Sequence, residues 1–255
     1  MLLNFRTYGN QGPPLIIVHG FLGMGDNWHL LAQQFAKDYK VLVMDMRNHG
    51  KSMHSDVFSL QVMVDDIIET LDHESISKVY IIGHSMGGKI AMQMALENPS
   101  RIEKLVVADI APKAYPPGHE EVFRALHRIN LQTLQSRTEA DNLMAQDLAD
   151  FSTRQFLLKN LTRDENGDFI WKMNLPVLEK YYNNISGEVS GTIYYSPTLF
   201  IRGSKSKYIL DSDLDMIEKL FPNYILETIE NAGHWLHADK PQEFYEVVNG
   251  FLSED

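Results

Sequence analysis

Apolar residues along the chain fall into two alternating patterns. Short runs rich in Val, Ile and Leu recur at residues 15–18, 41–44, 79–82, 105–108, 198–201 and 224–229. A short apolar run with no helical spacing reads as a strand buried on both faces. Between these runs, residues 28–36, 60–71, 86–96, 214–220 and 244–252 carry apolar side chains three and four apart, the stripe of a helix lying on a sheet. Strands alternating with helices predict an α/β fold with a mostly parallel central sheet flanked by helices. The rhythm breaks at Pro112 and resumes near Gly191. Pro116, Pro117 and Gly118 open a stretch that is polar, mostly helical in spacing and without a convincing strand. It reads as an insertion of residues 112–191 into a core made of 1–111 and 192–255, with 186–191 as the linker that returns the chain to the sheet.

A chain of 255 residues with 44% apolar and 22% charged side chains has the balance of an ordinary globular protein. Its 34 acidic residues against 23 basic ones leave a net charge of -11, which repels polyanions, so neither nucleic acid nor an anionic membrane surface is an expected partner. The lack of cysteine removes disulfides, thiolate-bound zinc and thiol nucleophiles from consideration. No segment approaches the roughly 20 apolar residues of a membrane helix. Asn4, Arg6, Asn10 and Gln11 interrupt the first residues, unlike a secretory signal. A cytoplasmic protein is expected, monomeric or a small homo-oligomer, with a small molecule as its partner.

Gly83-His84-Ser85-Met86-Gly87-Gly88 stands between the run 79–82 and a helical pattern. A serine on a sharp strand-to-helix turn is exposed above the strand ends, and the flanking glycines let helix and strand approach. Ser85 is therefore the candidate nucleophile; a glycine-rich turn with an incidental serine is the competing reading. The Met86 N–H, at a helix N-terminus, is a candidate donor to developing negative charge. A second donor is expected from His19-Gly20-Phe21-Leu22-Gly23, which follows the run 15–18, with Phe21 as the candidate and His19 as a shaper of the turn. Near the C-terminus, Asn231-Ala232-Gly233-His234-Trp235 follows the last predicted strand, where an imidazole can reach the nucleophile. His234 is the candidate base. His237, beside Asp239 and Lys240, is the rival, with a solvated or capping role as its alternative.

Together these motifs resemble the α/β-hydrolase superfamily over nearly the whole chain. Asp45 to Gly50, Gly83 to Lys89, Asp109 to Pro112 and Gly233 to Pro241 look like the small serine esterases of the YbfF and ABHD11 group. The resemblance implies hydrolysis of carboxylic esters or acyl thioesters. In the family's common pattern the acid follows the strand that corresponds to 198–201, but here that loop reads Arg202-Gly203-Ser204-Lys205-Ser206-Lys207 and holds no carboxylate before Asp211. Asp109, at a neighbouring strand end, is the better candidate to orient His234. Its alternative is a cap ahead of Pro112, while Asp211 and Asp213 suit a helix N-terminus. Arg47, Asn48 and His49 are expected to fix their loop by hydrogen bonds. The expected chemistry is two-step acyl transfer by Ser85, His234 and Asp109, with Phe21 and Met86 holding the oxyanion and no cofactor or metal required. The insertion is expected to form a helical lid, with Tyr115, Phe123, Phe156, Trp171 and Tyr181 as candidates for the acyl pocket. Carbon–carbon bond hydrolysis and a non-catalytic receptor or scaffold are the competing functions on this fold.

Overall fold

The computed structural model describes residues 1–254. The chain runs through β1 (Phe5–Tyr8), β2 (Pro14–Val18), α1 (His29–Phe35), β3 (Lys40–Met44), α2 (Leu60–His73), β4 (Val79–His84), α3 (Met86–Glu97) and β5 (Ile102–Ala108). It then leaves the sheet for α4 (Glu120–His127), α5 (Arg137–Met144), α6 (Phe151–Leu158), a hairpin of β6 (Leu161–Arg163) and β7 (Phe169–Trp171), α7 (Leu175–Lys180) and α8 (Asn183–Ser186). It returns as β8 (Thr198–Gly203), α9 (Leu214–Leu220), β9 (Tyr224–Ile229), α10 (Leu236–Asp239) and α11 (Pro241–Ser253).

Seven strands form one sheet in the order β1-β3-β2-β4-β5-β8-β9. All neighbours run parallel except β1, which pairs antiparallel with β3 at the edge. Side chains alternate between the sheet's faces. Ile16, Val18, Ile81, Leu105 and Val107 join the core with α2 and α3, while Leu15, Ile17, Ile82, Val106 and Ala108 join the core with α1 and α11. Burial on both faces is why the runs are apolar without a gap. The C-terminal ends of β2, β4, β5, β8 and β9 share one edge, the usual location of sites in open parallel sheets.

Two expectations need correction. β1 lay outside the predicted strands because an edge strand is only half covered, and its four residues are intermediate or exposed. The insertion, expected to hold no strand, contains the hairpin β6–β7. Its strands have three residues each and no alternation to read; the legible signal was the turn, where Asp164 Oδ1 accepts from Asn166 N and Asp168 N and Gly167 adopts φ 87°.

Residues within 112–191 are hydrogen-bonded to the loops leaving β2 and β3. Asn160 Nδ2 donates to Leu22 O (2.8 Å), Asn174 N to Asn48 O (2.9 Å) and Asn184 Nδ2 to Phe58 O (3.1 Å). No helix among the described residues is long and apolar enough to cross a membrane.

Candidate active site

Ser85 occupies the one-residue turn between β4 and α3 with φ 53° and ψ -116°. An L-residue with positive φ is strained, and such strain persists only where the surroundings enforce it. Here the Ser85 N–H donates to Ala108 O (3.0 Å), and a Cβ on Gly87 would stand 2.2 Å from Val18 O. Only glycine allows α3 to approach the end of β2 that closely. Gly20, in the loop after β2, is constrained less severely and by side chains, since a Cβ there would lie 2.8 Å from His84 Nδ1 and 3.4 Å from Ser85 Cβ. The loop bearing Phe21 is thereby brought against the serine. Neither the Phe21 N–H nor the Met86 N–H has an acceptor among the described residues.

His234, in the loop between β9 and α10, places Nε2 3.0 Å from Ser85 Oγ and Nδ1 2.7 Å from Asp109 Oδ2. A carboxylate only accepts, so it selects the tautomer with hydrogen on Nδ1; Nε2 then presents its lone pair to the Ser85 hydroxyl. Asp109 is completely buried, also at positive φ (51°), and its N–H donates to Ile201 O (2.8 Å). Its carboxylate accepts from the Gly203 N–H at Oδ1 (3.1 Å) and from the Ser206 hydroxyl at Oδ2. The loop after β8, which carries no acid, thus supplies donors to an acid that comes from β5. Asp211 pairs with Arg202 (2.7 Å) and Asp213 with Lys113 (2.5 Å), so both rivals are engaged elsewhere.

Several neighbours support His234. The His84 Nε2–H donates to His234 O (2.8 Å), and burial together with His237 and His234 holds His84 well below the ordinary imidazole range, so it remains a neutral donor. The Tyr208 ring stacks on His234 with centroids 3.8 Å apart and planes at 16°. His237, expected to be solvated or capping, is instead buried and stacked on Trp28 at 4.2 Å. Burial, then the nearby His234, pushes it down to about 3. The short α10 turns residue 237 back under the loop, a reversal that periodicity could not reveal.

The loops beneath are braced by histidines. His19 Nε2 accepts from the Met46 N–H (3.0 Å) while its Nδ1–H donates to Gly20 O (2.8 Å). His49 Nε2 accepts from the Leu22 N–H (3.2 Å) while its Nδ1–H donates to Arg47 O (3.0 Å). Arg47 itself forms a two-pronged pair with the buried Asp66 (2.6 and 2.7 Å).

Two cavities with partly shared walls adjoin the site, one bordered by Ser85 and the other by His234. One is lined by Ser85, Phe21, Met86, Lys89, Tyr115 and Tyr182, among others. The other is bordered by His234, Trp235, Phe156, Leu22 and Val122. Phe21, His119 and Tyr208 line both. Of the pocket candidates read from the sequence, Tyr115 and Phe156 border these cavities; Phe123, Trp171 and Tyr181 are not in the lining of either. Phe123 packs behind Phe21 and Tyr182, each 6.2 Å away. Trp171 pairs with Leu161 in the hairpin, and Tyr181 lies beneath the Lys180 ammonium (4.8 Å). Their place is taken by His119, Tyr182 and Tyr208, which no local pattern distinguished. No group of three His, Asp or Glu side chains among the described residues is arranged to hold a metal ion.

This geometry has known counterparts. Residues 13–241 match the family described as alpha/beta hydrolase fold. The chain belongs to that family. As an α/β-hydrolase it is 37% identical over 259 residues to esterase YbfF of Escherichia coli (strain K12), with 100% of both chains covered. It is 39% identical over 262 residues to the sn-1-specific diacylglycerol lipase ABHD11 of Danio rerio, covering 98% of this chain and 82% of that one. The solved structure of a marine microorganism esterase superposes with a TM-score of 0.96 at 39% identity, covering 98% and 99% of the two chains. The protein is a carboxylesterase-type α/β-hydrolase.

Proposed function

We propose that this α/β-hydrolase cleaves carboxylic esters or acyl thioesters through an acyl-enzyme on Ser85. The observation that carries the reading is the continuous hydrogen-bond chain from Ser85 Oγ through His234 to the buried Asp109. His234 Nε2 takes the Ser85 proton as Oγ bonds to the carbonyl carbon, and Asp109 favours the imidazolium that forms. The unclaimed N–H groups of Phe21 and Met86 hold the oxyanion. As the carbon–oxygen or carbon–sulfur bond breaks, Nε2 returns its proton to the departing alcohol or thiol. Water then gives a proton to Nε2 and its oxygen to the acyl carbon, and Ser85 leaves with the proton.

Because the leaving group must meet Nε2, it belongs in the cavity bordered by His234, and the acyl group in the cavity bordered by Ser85 and Met86. Residues 112–191 act as a lid that excludes water from both. Apolar walls from Phe21, Ile110, Tyr182 and Ile185 suit an aliphatic acyl group.

Ser85→Ala tests the reading. It should abolish fluorophosphonate labelling and lower ester turnover by about six powers of ten, with the melting temperature preserved. A variant that keeps more than about a hundredth of wild-type turnover would eliminate Ser85 as nucleophile.

A further inference from the structure

We infer that Lys89 is a positioning residue that ties both stems of the insertion to the helix behind Ser85 and thereby sets the depth of the acyl cavity. This rests on the reading of Ser85 as nucleophile and of that cavity as the acyl site.

Lys89 lies one turn into α3, where its backbone N–H donates to Ser85 O (3.0 Å). Its side chain is 2% exposed. The ammonium donates to Lys113 O (2.7 Å), Ser186 O (3.4 Å) and Gly187 O. Three N–H groups meet three carbonyls, the full donor complement of a lysine. None of these hydrogen-bond partners is a carboxylate, so a buried cation is hydrogen-bonded only to peptide carbonyls, an arrangement that packing does not require and that costs desolvation. Burial accordingly lowers its pKa to about 8, against the pull of Glu188.

The three carbonyls belong to two separate strands of chain. Lys113 stands where the chain leaves the core after Asp109; Ser186 and Gly187 stand where it begins to return. These stems are bonded to one another, Tyr115 N–H to Ser186 O (2.8 Å) and Val189 N–H to Pro112 O (2.7 Å). They also form the cavity wall, since Tyr115, Ile185, Ser186 and Lys89 itself border the same space as Ser85. The Lys89 ammonium lies 5.0 Å over the Tyr115 ring. A shift of either stem relative to α3 therefore moves the wall that faces the acyl group. Farther along α3, Gln93 Nε2 donates to Ser190 O (3.2 Å) and Thr192 Oγ1 to Leu96 O (2.5 Å). These ties survive a change at Lys89, so the insertion stays attached while its inner edge is released.

The full chain is compared with Lys89→Met, an unbranched apolar side chain of similar length, and with Lys89→Gln, whose single amide has two N–H groups for three carbonyls. Fluorophosphonate labelling and nitrophenyl acetate hydrolysis by the wild type come first; their absence would refute the nucleophile reading and not the role of Lys89. In Lys89→Met the kcat/KM ratio of octanoate to acetate ester should rise by about tenfold or more, mostly through KM. The amides of Tyr115 and Val189 should exchange hydrogen faster while those of β4 and β5 do not change. Lys89→Gln should move both readouts in the same direction by less. A labelled, active wild type beside a Lys89→Met variant with the same ratio and the same exchange would overturn the inference, whatever happens to the melting temperature. If Lys89→Met fails to fold, Lys89→Gln is judged by the same two criteria.

Discussion

The strand-end half of the site and the half built by residues 112–191 face each other across a few ångströms, yet they are held in different ways. On the strand side, backbone geometry does the positioning. Ser85 and Asp109 both sit at positive φ, and each is anchored by a backbone hydrogen bond to the neighbouring strand, Ser85 N–H to Ala108 O and Asp109 N–H to Ile201 O. On the insertion side, rings are packed against rings. His119 meets Tyr182 at 4.7 Å, and both pack on Phe21 of the loop after β2, at 5.4 Å and 5.3 Å. Backbone anchoring leaves a reacting atom little freedom, whereas aromatic packing tolerates replacement of one ring by another. The first half is suited to chemistry and the second to selection among substrates.

The comparison can be broken most severely at the acid. Asp109→Asn should lower kcat/KM by about four powers of ten, because an amide that donates where the carboxylate accepted favours the wrong imidazole tautomer. Ser206→Ala removes one donor to the same carboxylate and should cost about tenfold to a hundredfold. Stopped-flow or steady-state ester hydrolysis measures both. A larger loss for Ser206→Ala than for Asp109→Asn would mean that the hydroxyl, and not the carboxylate, controls His234.

A smaller and different effect is expected across the cavity. Phe156 borders the space assigned to the leaving group and lies 5.5 Å from Trp235. Phe156→Ala should change the relative kcat/KM of bulky and small alcohol esters by about tenfold while preserving the order among acyl lengths. If acyl preference shifts and leaving-group preference does not, the two cavities have been assigned the wrong way round.

The smallest effect concerns stability, through one histidine of each half. His237 is held near 3 and His119 near 4, both below the ordinary imidazole value of 6.5, chiefly by burial. The unfolded chain takes up protons at these positions first as pH falls. The stability gained from keeping them neutral is therefore complete above pH 6.5 and is lost progressively toward pH 3. His237→Phe keeps a ring against Trp28 and removes the titrating group, so its melting temperature should fall less between pH 7 and pH 5 than that of the wild type. Equal drops in the two proteins would assign the acid sensitivity to other groups.

By itself the sequence determined the parallel sheet, the turn that presents Ser85 and the loop that carries His234. Each rests on a local pattern: apolar runs with no polar face, glycines around a serine between strand and helix, a histidine just past the last strand. That Asp109, unlike Asp211 and Asp213, stands directly at a strand end was also legible. What the tertiary structure alone decided involves partners far apart in the chain. Ser206 and Gly203 reach Asp109 only because β8 lies beside β5. His237 turns inward only because Trp28 waits there. Trp171 and Tyr181, as aromatic as Tyr182, pack against the core without lining either cavity at the serine and histidine. An amphipathic pattern states how much of a helix is buried but not against what, and the insertion has no strand register to fix its rotation over the sheet. Which rings reach Ser85 is settled by packing and by contacts such as those of Asn160 and Lys89, whose partners lie 138 and 98 residues away at their most distant.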